Sequence, residues 1–256
     1  MRKMNKSDII SHRLGAIDIY DELPSTNDKA RALAACGADD FTAVVAECQT
    51  AGRGTRGHSF YSPTGTGVYF SIVLRPRLHA GDALLITTAA ACAAAEAIDA
   101  VFGTSSQIKW VNDIYINSKK VCGILTESTF DADGGISYAI LGVGVNIAPP
   151  CGGFPDCIGD AGAVATADEL CLRGRLIGVF ADIFADYYDK LPQKVYIDEY
   201  RRRSMIVGRN IDVIGNDTVR HAIAVGIRDD FSLDVIYDDG TSGNLTSAYV
   251  SVKPRK

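Results

Sequence analysis

Ten residues, AGRGTRGHSF at positions 51–60, hold three glycines, two arginines and a histidine and end on an aromatic ring. Glycine lets backbone approach a ligand closely, and a guanidinium offers a planar fork of donors that matches phosphate or carboxylate. The stretch is therefore a candidate anion loop. Gly52 and Gly57 have the G-x-x-x-x-G spacing of a Walker-type phosphate loop, and Ser59 falls near the place of its hydroxyl. His58 stands where that motif has lysine, however, and Pro63 followed by GVYFSIVLRP predicts a turn and a strand where the motif has a helix. The Walker reading fails; an anion wrapped without a following helix and an ordinary surface loop stay open.

A further cation, Lys109, lies in SQIKWVNDIYI, flanked by Ile108, Trp110 and Val111 and just ahead of Asn112 and Asp113. That pattern puts an ammonium at a partly covered position, where snorkelling from a strand and function are both open. Other chemistries leave no trace. His12, His58, His79 and His221 are scattered outside any His/Cys ligand spacing, and there is no G-x-S-x-G elbow. LGVGVNI carries Gly142 and Gly144 without the third glycine and helix of a dinucleotide fingerprint, so these read as points where a ligand nears a strand backbone.

Elements must hold these residues in place. PSTNDKARALAACG (24–37) predicts a helix, with Ser25 and Asp28 at capping-box spacing and Gly37 at its end. FTAVVAE and GVYFSIVLRP read as strands on either side of the glycine loop. The apolar run at 83–102 is interrupted by Glu96 and Asp99 and predicts a buried, alanine-rich helix, not a membrane span. QIKWV with DIYI, KKVCGILTEST and GGISYAILGVGVNI read as strands, with turns at Asn117-Ser118 and Asp133-Gly134-Gly135. A Pro/Gly loop, PPCGGFPDCIGDAG, precedes the amphipathic pattern TADELCLRGRLIGVFADIFADYYDKL, and KVYIDEYRRRS closes that unit. From about Ile206 the texture changes to short strands, IVGRNIDVIGN, RHAIAVGIRD, SLDVIYDDGT and AYVSV, which suggest a small β-barrel. The expected fold class is α+β: a mixed sheet with flanking helices over residues 1–204 and a small β domain over 205–256.

Bulk properties narrow the classes. The chain of 256 residues has a net charge of −5 and a pI near 5.4, which argues against nucleic-acid binding through a basic surface. Seven cysteines, with no C-x-x-C pair and most in apolar patterns, fit a reduced, cytoplasmic protein; Cys151 and Cys157 flank GGFPD and read as two free thiols. MRKMNKSDIISHRLG lacks the apolar core of a secretory signal.

Taken together, STND, QTAGRGTRGHSF, IKWVNDIYI, KKVCGILTES and LGVGVNI, in this order, resemble the biotin protein ligase family across residues 17–147, and the short β tail is similar to that family's C-terminal SH3-like domain. The resemblance implies a class II synthetase-like catalytic domain. It implies an enzyme that uses ATP and Mg2+ to convert biotin to biotinyl-AMP and then biotinylates a lysine of an apo biotin carboxyl carrier protein or domain. By the same resemblance Ser25, Thr26, Asn27 and Gln49 meet the biotin rings, and Gly52, Arg53, Gly54 and Thr55 form the loop over carboxylate and phosphate. Lys109 is the essential cation, with Arg53 and Arg56 beside it in the catalytic set. Gly123, Gly142 and Gly144 wall the biotin pocket, and Phe60, Asn112 and Asn146 join Arg53, Arg56 and Lys109 on the adenylate side. No residue is assigned to a protein-held metal, and Asp113 is a candidate helper for the acceptor lysine. Three positions depart from the family pattern: Thr55 replaces a loop arginine with Arg56 following it, Phe60 replaces a tryptophan, and Val111 replaces a proline. Either Arg56 substitutes for the missing arginine or the intermediate escapes more readily. About twenty residues precede STND, too few for a winged helix, so no DNA partner is expected; the interrupted apolar run at 83–102 gives no reason to expect a membrane partner, and monomer and homodimer are both open. A lipoate-type ligase is the rival enzyme, disfavoured by the GRG-containing loop and KWVND. A non-catalytic biotin-binding sensor is the rival from another class, disfavoured by Arg53 and Lys109.

Overall fold

A computed structural model describes residues 3–215, 218–247 and 250–255. The larger sheet contains β1 (Ile17–Tyr20), β2 (Ala43–Ala46), β3 (Gly67–Leu74), β4 (Gln107–Lys109), β5 (Asp113–Ile116), β6 (Lys119–Phe130) and β7 (Ile136–Asn146), ordered β1-β2-β3-β7-β6-β5-β4. Only β1 and β2 run parallel, so the sheet is mixed, as the sequence suggests. Every residue of β2 and β3 is buried because helices cover both faces. Alternation along the strands divides the side chains. Val44, Val73 and Ile140 face α1 (Thr26–Ala35), whose Ala30 and Ala34 let it lie close to the sheet. Val45, Phe70, Ile72 and Leu141 face the main core, with α2 (Ala83–Phe102) and α3 (Arg173–Tyr188) behind them. Phe180 and Phe184 of α3 stack at 5.7 Å, and Phe180 meets Phe70 edge-on at 5.3 Å. Helix α2 spans the residues expected of it, and most of them are buried inside the protein.

Two expectations need correction. Ser25 caps α1 by position, but its side chain makes no capping bond, so the Ser25–Asp28 box does not form. The physical reason is competition: Asp28 is drawn to Arg53 at 2.7 Å and Arg31 at 3.0 Å, while the Thr26 N–H donates to Gln49 Oε1 at 2.9 Å. The pattern read as one helix over 166–191 starts as a 3-10 turn, Ala167–Leu172, and becomes α-helical at Arg173, which turns inward to an ion pair with Glu47. Among the cysteines, Cys92 and Cys122 are buried and Cys48 is half-buried, while Cys36, Cys151, Cys157 and Cys171 are exposed, all as free thiols.

The C-terminal strands are β8 (Asn210–Ile214), β9 (Val219–Ile227), β10 (Leu233–Tyr237), β11 (Ser242–Leu245) and β12 (Ser251–Pro254). They form an antiparallel sheet ordered β11-β10-β9-β8-β12. Strand β11, SGNL, has no apolar alternation to announce it and is defined by its pairing to β10. Asn216, Ala248 and Tyr249, parts of two expected strands, lie outside the described residues. Between β9 and β10 the buried Phe231, at φ 63°, inserts into the larger layer. Its ring stacks on Tyr196 at 5.6 Å and meets Tyr200, in α4 (Ile197–Arg202), edge-on at 5.3 Å. Its carbonyl accepts Trp110 Nε1–H at 2.8 Å, and Tyr200 OH donates to Val111 O at 3.0 Å. The Trp110-Val111 segment beside Lys109 is thereby fixed from both sides.

Candidate active site

A cavity of about 590 Å³ opens where the N-terminus of α1, the 53–60 loop and the 109–113 turn converge on β6 and β7; Ile214, Val252 and Lys253 of the C-terminal sheet and Ser247, in a turn past the end of β11, complete its rim. The size is that of a small-molecule site. Its floor exists because of glycine. Gly123 and Gly144 are cross-strand partners, and the Phe60 ring lies over both, so that a Cβ on Gly144 would come within 2.5 Å of that ring. A Cβ on Gly142 would stand 2.1 Å from Asn27 Oδ1, so the Asn27 amide rests directly on bare strand backbone.

The start of α1 carries a closed polar network. Gln49 Oε1 accepts from the Thr26 N–H at 2.9 Å and from its hydroxyl at 3.1 Å, and Gln49 Nε2 donates to Ser62 Oγ at 2.9 Å. Ser71 Oγ is 2.8 Å from Thr26 Oγ1 and 2.6 Å from Asn27 Oδ1. Ser25, Thr26 and Asn27 are all buried. Side chains fixed in this way present a preset pattern of donors and acceptors to a polar ring system.

Cations gather in the same cavity. Lys109 Nζ sits 5.6 Å from the centre of the Tyr115 ring, and among the described residues no carboxylate forms a salt bridge with it. Burial holds this ammonium below the ordinary lysine value, with Asp113 pulling the other way and Lys120 adding to the depression. Lys120 Nζ pairs with Asp113 Oδ1 at 2.6 Å. Arg53 contacts Asp28 at 2.7 Å and Glu127 at 2.9 Å, while its Nε is buried without a hydrogen-bond partner. Arg56 takes a left-handed conformation, φ 57°, and donates to Ser247 O at 2.8 Å, at the rim of the cavity. Asn112 Nδ2 donates to Ile124 O at 2.7 Å, which ties the turn after Lys109 to β6.

Most of the residues singled out in the sequence line this one cavity: Ser25, Thr26, Asn27, Gln49, Arg53, Gly54, Thr55, Arg56, Phe60, Lys109, Asn112, Gly123, Gly142 and Gly144. Two stand back from it. Gly52 packs behind the loop, where a Cβ would lie 2.4 Å from Phe60 O, and Asn146 donates to Gly162 O at 3.1 Å at the end of β7. Sequence reasoning passed over Glu127, Arg31, Lys120 and Lys253. A signal existed for Glu127: in KKVCGILTES it has the parity of Gly123 and Leu125, which places all three on one face of β6. Lys253 comes from the far end of the chain and had no such signal.

Among the described residues no group of three or more His, Cys, Asp or Glu is arranged to hold a metal. The arrangement suits non-covalent capture: a polar recess for an uncharged ring system beside cations for a carboxylate or a phosphate.

Comparisons with known proteins agree with the geometry. Over 218 residues the chain is 39% identical to the bifunctional ligase/repressor BirA of Bacillus spizizenii, covering 82% of this chain and 66% of that protein. Over 142 residues it is 39% identical to the biotin (acetyl-CoA-carboxylase) ligase of Paracoccus denitrificans, covering 55% of each. The matched region thus spans about half to two thirds of these curated relatives. Its fold matches that of a biotin protein ligase from Aquifex aeolicus, solved in complex with biotin and ATP, with a TM-score of 0.73 at 21% identity over 94% of this chain and 100% of that one. Residues 23–146, which contain the α1 network, the glycine loop, Lys109 and both glycine-bearing strands, match the pattern of the biotin/lipoate A/B protein ligase family.

Proposed function

We propose that this protein is a biotin protein ligase, which joins biotin to ATP as biotinyl-5'-AMP and transfers the biotinyl group to one lysine of an apo biotin carboxyl carrier protein or domain. The observation that carries the reading is the pairing, in one cavity, of the Thr26–Gln49–Ser71–Asn27 network with the cations Arg53 and Lys109. Residues 1–204 act as the catalytic domain and 205–256 as an SH3-like appendage. The network and Gly142 receive the ureido ring, Arg53 and Gly54 cover the carboxylate, and Phe60 and Asn112 border the adenosine. Biotin's carboxylate attacks the α-phosphorus and pyrophosphate leaves. Lys109, already partly desolvated, offsets charge on the phosphate as that happens, a role worth about a hundredfold or more in rate. In the second half-reaction the acceptor amine, having lost its proton, attacks the acyl carbon and AMP departs. Magnesium travels with ATP as part of the substrate; Asp113, paired with Lys120, is the carboxylate on the wall.

Thr55 leaves the loop without the arginine that resemblance to the family leads one to expect, and Arg56 is engaged at Ser247, so the intermediate is held by Arg53 and Lys109 with less help from the loop. The test is incorporation of biotin into a purified apo acceptor domain with ATP and magnesium, in parallel with lipoate and octanoate. Transfer of biotin alone is expected. Transfer of lipoate favours the lipoate-type enzyme, and tight biotin binding without transfer favours the sensor. In the same assay Thr55→Arg should slow release of biotinyl-AMP by about tenfold, the worth of one charge-assisted hydrogen bond; an unchanged off-rate removes the claim that Thr55 loosens the loop.

A further inference from the structure

Arg53 does not stand alone over the cavity. Its NH2 lies 2.7 Å from Asp28 Oδ1 and 2.9 Å from Glu127 Oε2, and Arg31 closes a ring by reaching Asp28 Oδ1 at 3.0 Å and Glu127 Oε1 at 2.7 Å. Two guanidinium groups and two carboxylates therefore alternate at the lip of the site. Taken singly these half-exposed pairs are weak. What sets Glu127 apart is that the Oε2 holding Arg53 also accepts from Asn27 Nδ2 at 2.7 Å. One carboxylate oxygen thus connects the two halves of the cavity.

The connection has a direction. An ionised carboxylate only accepts, so Asn27 must turn its NH2 toward Glu127 and its Oδ1 toward the Ser71 hydroxyl, 2.6 Å away. Asn27 is buried and rests on Gly142, so it has no other way to arrange its amide. Arg53, held by two carboxylates with Arg31 competing for both, has its fork aimed by the ring and its charge shared within it.

We propose that Glu127, assisted by Asp28 and Arg31, is a positioning residue that fixes Arg53 for the carboxylate and phosphate and Asn27 for the ring system in one registered geometry. This deepens the ligase reading and rests on it. Glu127 then acts on the rate of adenylation more than on the binding of biotin, because the remaining network contacts to the ring survive its loss.

The experiment is biotin-dependent exchange of labelled pyrophosphate into ATP by the full chain, comparing wild type, Glu127→Gln, Glu127→Asp and Asp28→Asn, with melting temperatures measured alongside. For Glu127→Gln, kcat is expected to fall about tenfold while KM for biotin moves less than about threefold, in keeping with loss of a charge-assisted contact that matters most in the transition state. Glu127→Asp, which keeps the charge, should recover part of the rate. A Glu127→Gln enzyme with wild-type kcat overturns the proposal, as does one whose KM rises while kcat holds. If Glu127→Gln does not fold, Asp28→Asn, half-exposed at the helix start, must show the same kcat loss; an unchanged kcat there overturns it equally. A wild-type chain silent in the exchange removes the ligase reading and this proposal together, whereas an active wild type with indifferent variants removes the proposal alone.

Discussion

Lys109 shows how much one residue's surroundings add to what its letter says. The sequence placed a lysine between apolar neighbours and left snorkelling and function equally open; the fold puts its ammonium beside the Tyr115 ring, with burial lowering its pKa. A base whose folded pKa lies below its unfolded value weakens the fold while both states are protonated. That cost is lifted as pH rises from the folded toward the unfolded value, where only the unfolded chain keeps its proton. Two consequences follow, the first at neutral pH. Lys109→Met should abolish adenylate formation and yet raise stability, by about 1 kcal/mol, as expected where a charge is kept for function at the expense of the fold. Activity of the wild type should also decline in the alkaline range earlier than an ordinary lysine near 10.4 requires. Thermal melts of wild type and variant, with a pH profile of pyrophosphate exchange, check both. A variant that melts below wild type removes the desolvation argument. Arg53 was legible by its glycine setting; its carboxylate seat was not, because Asp28 looked like a capping residue and Glu127 lies in a strand far along the chain.

At the scale of elements, periodicity carried most of the information. The alternation in FTAVVAE, GVYFSIVLRP and GGISYAILGVGVNI gave strands and faces, and the alanine run gave α2 to the residue. Partners distant in sequence were illegible, and α3 is the clearest case. Gly174 and Gly178 lie one turn apart, and a Cβ on them would come within 2.3 Å of Asp8 O and 2.0 Å of Ile10 O, so the N-terminal segment runs against bare helix backbone. The same segment is tied by Met4 N–H to Glu47 Oε1 at 2.7 Å and by Ser11 Oγ to Asp182 at 2.6 Å, and Glu47 pairs with Arg173 at the head of α3. In an isolated helix Gly→Ala gains up to about 1 kcal/mol. Here Gly178→Ala should instead destabilise by about 2 kcal/mol, because overpacking against backbone cannot be relieved by a rotamer change. It should also open residues 3–14 to protease. Denaturant titration with limited proteolysis measures both effects, and a stabilised variant with an intact N-terminus means the segment does not press on α3.

Across the whole molecule, the change of texture near Ile206 announced a second sheet, but nothing in RDDFSL announced how it docks. A phenylalanine at positive φ is uncommon and is retained only where the surroundings fix it. Phe231 meets that condition: it is fully buried between Tyr196 and Tyr200 while its carbonyl holds the Trp110 indole, and the buried core runs through both sheets without a break. Trp110 precedes the Val111-Asn112 turn of the site, so docking of the C-terminal sheet and the posture of Lys109 are mechanically joined. Two layers sharing one core should unfold as one cooperative unit. Trp110 is the chain's single tryptophan, so its fluorescence reports this junction while far-UV dichroism reports both sheets. In wild type the two denaturation curves should coincide. Phe231→Ala removes the plug at a cost of about 3–5 kcal/mol, and it should pull the fluorescence transition to lower denaturant than the dichroism transition. It should also lower kcat for adenylation with little change in biotin KM, since the turn that carries Lys109 loses a brace while the α1 network is untouched. Coincident curves at an unshifted midpoint in that variant sink the claim that Phe231 couples the layers, whatever the activity does.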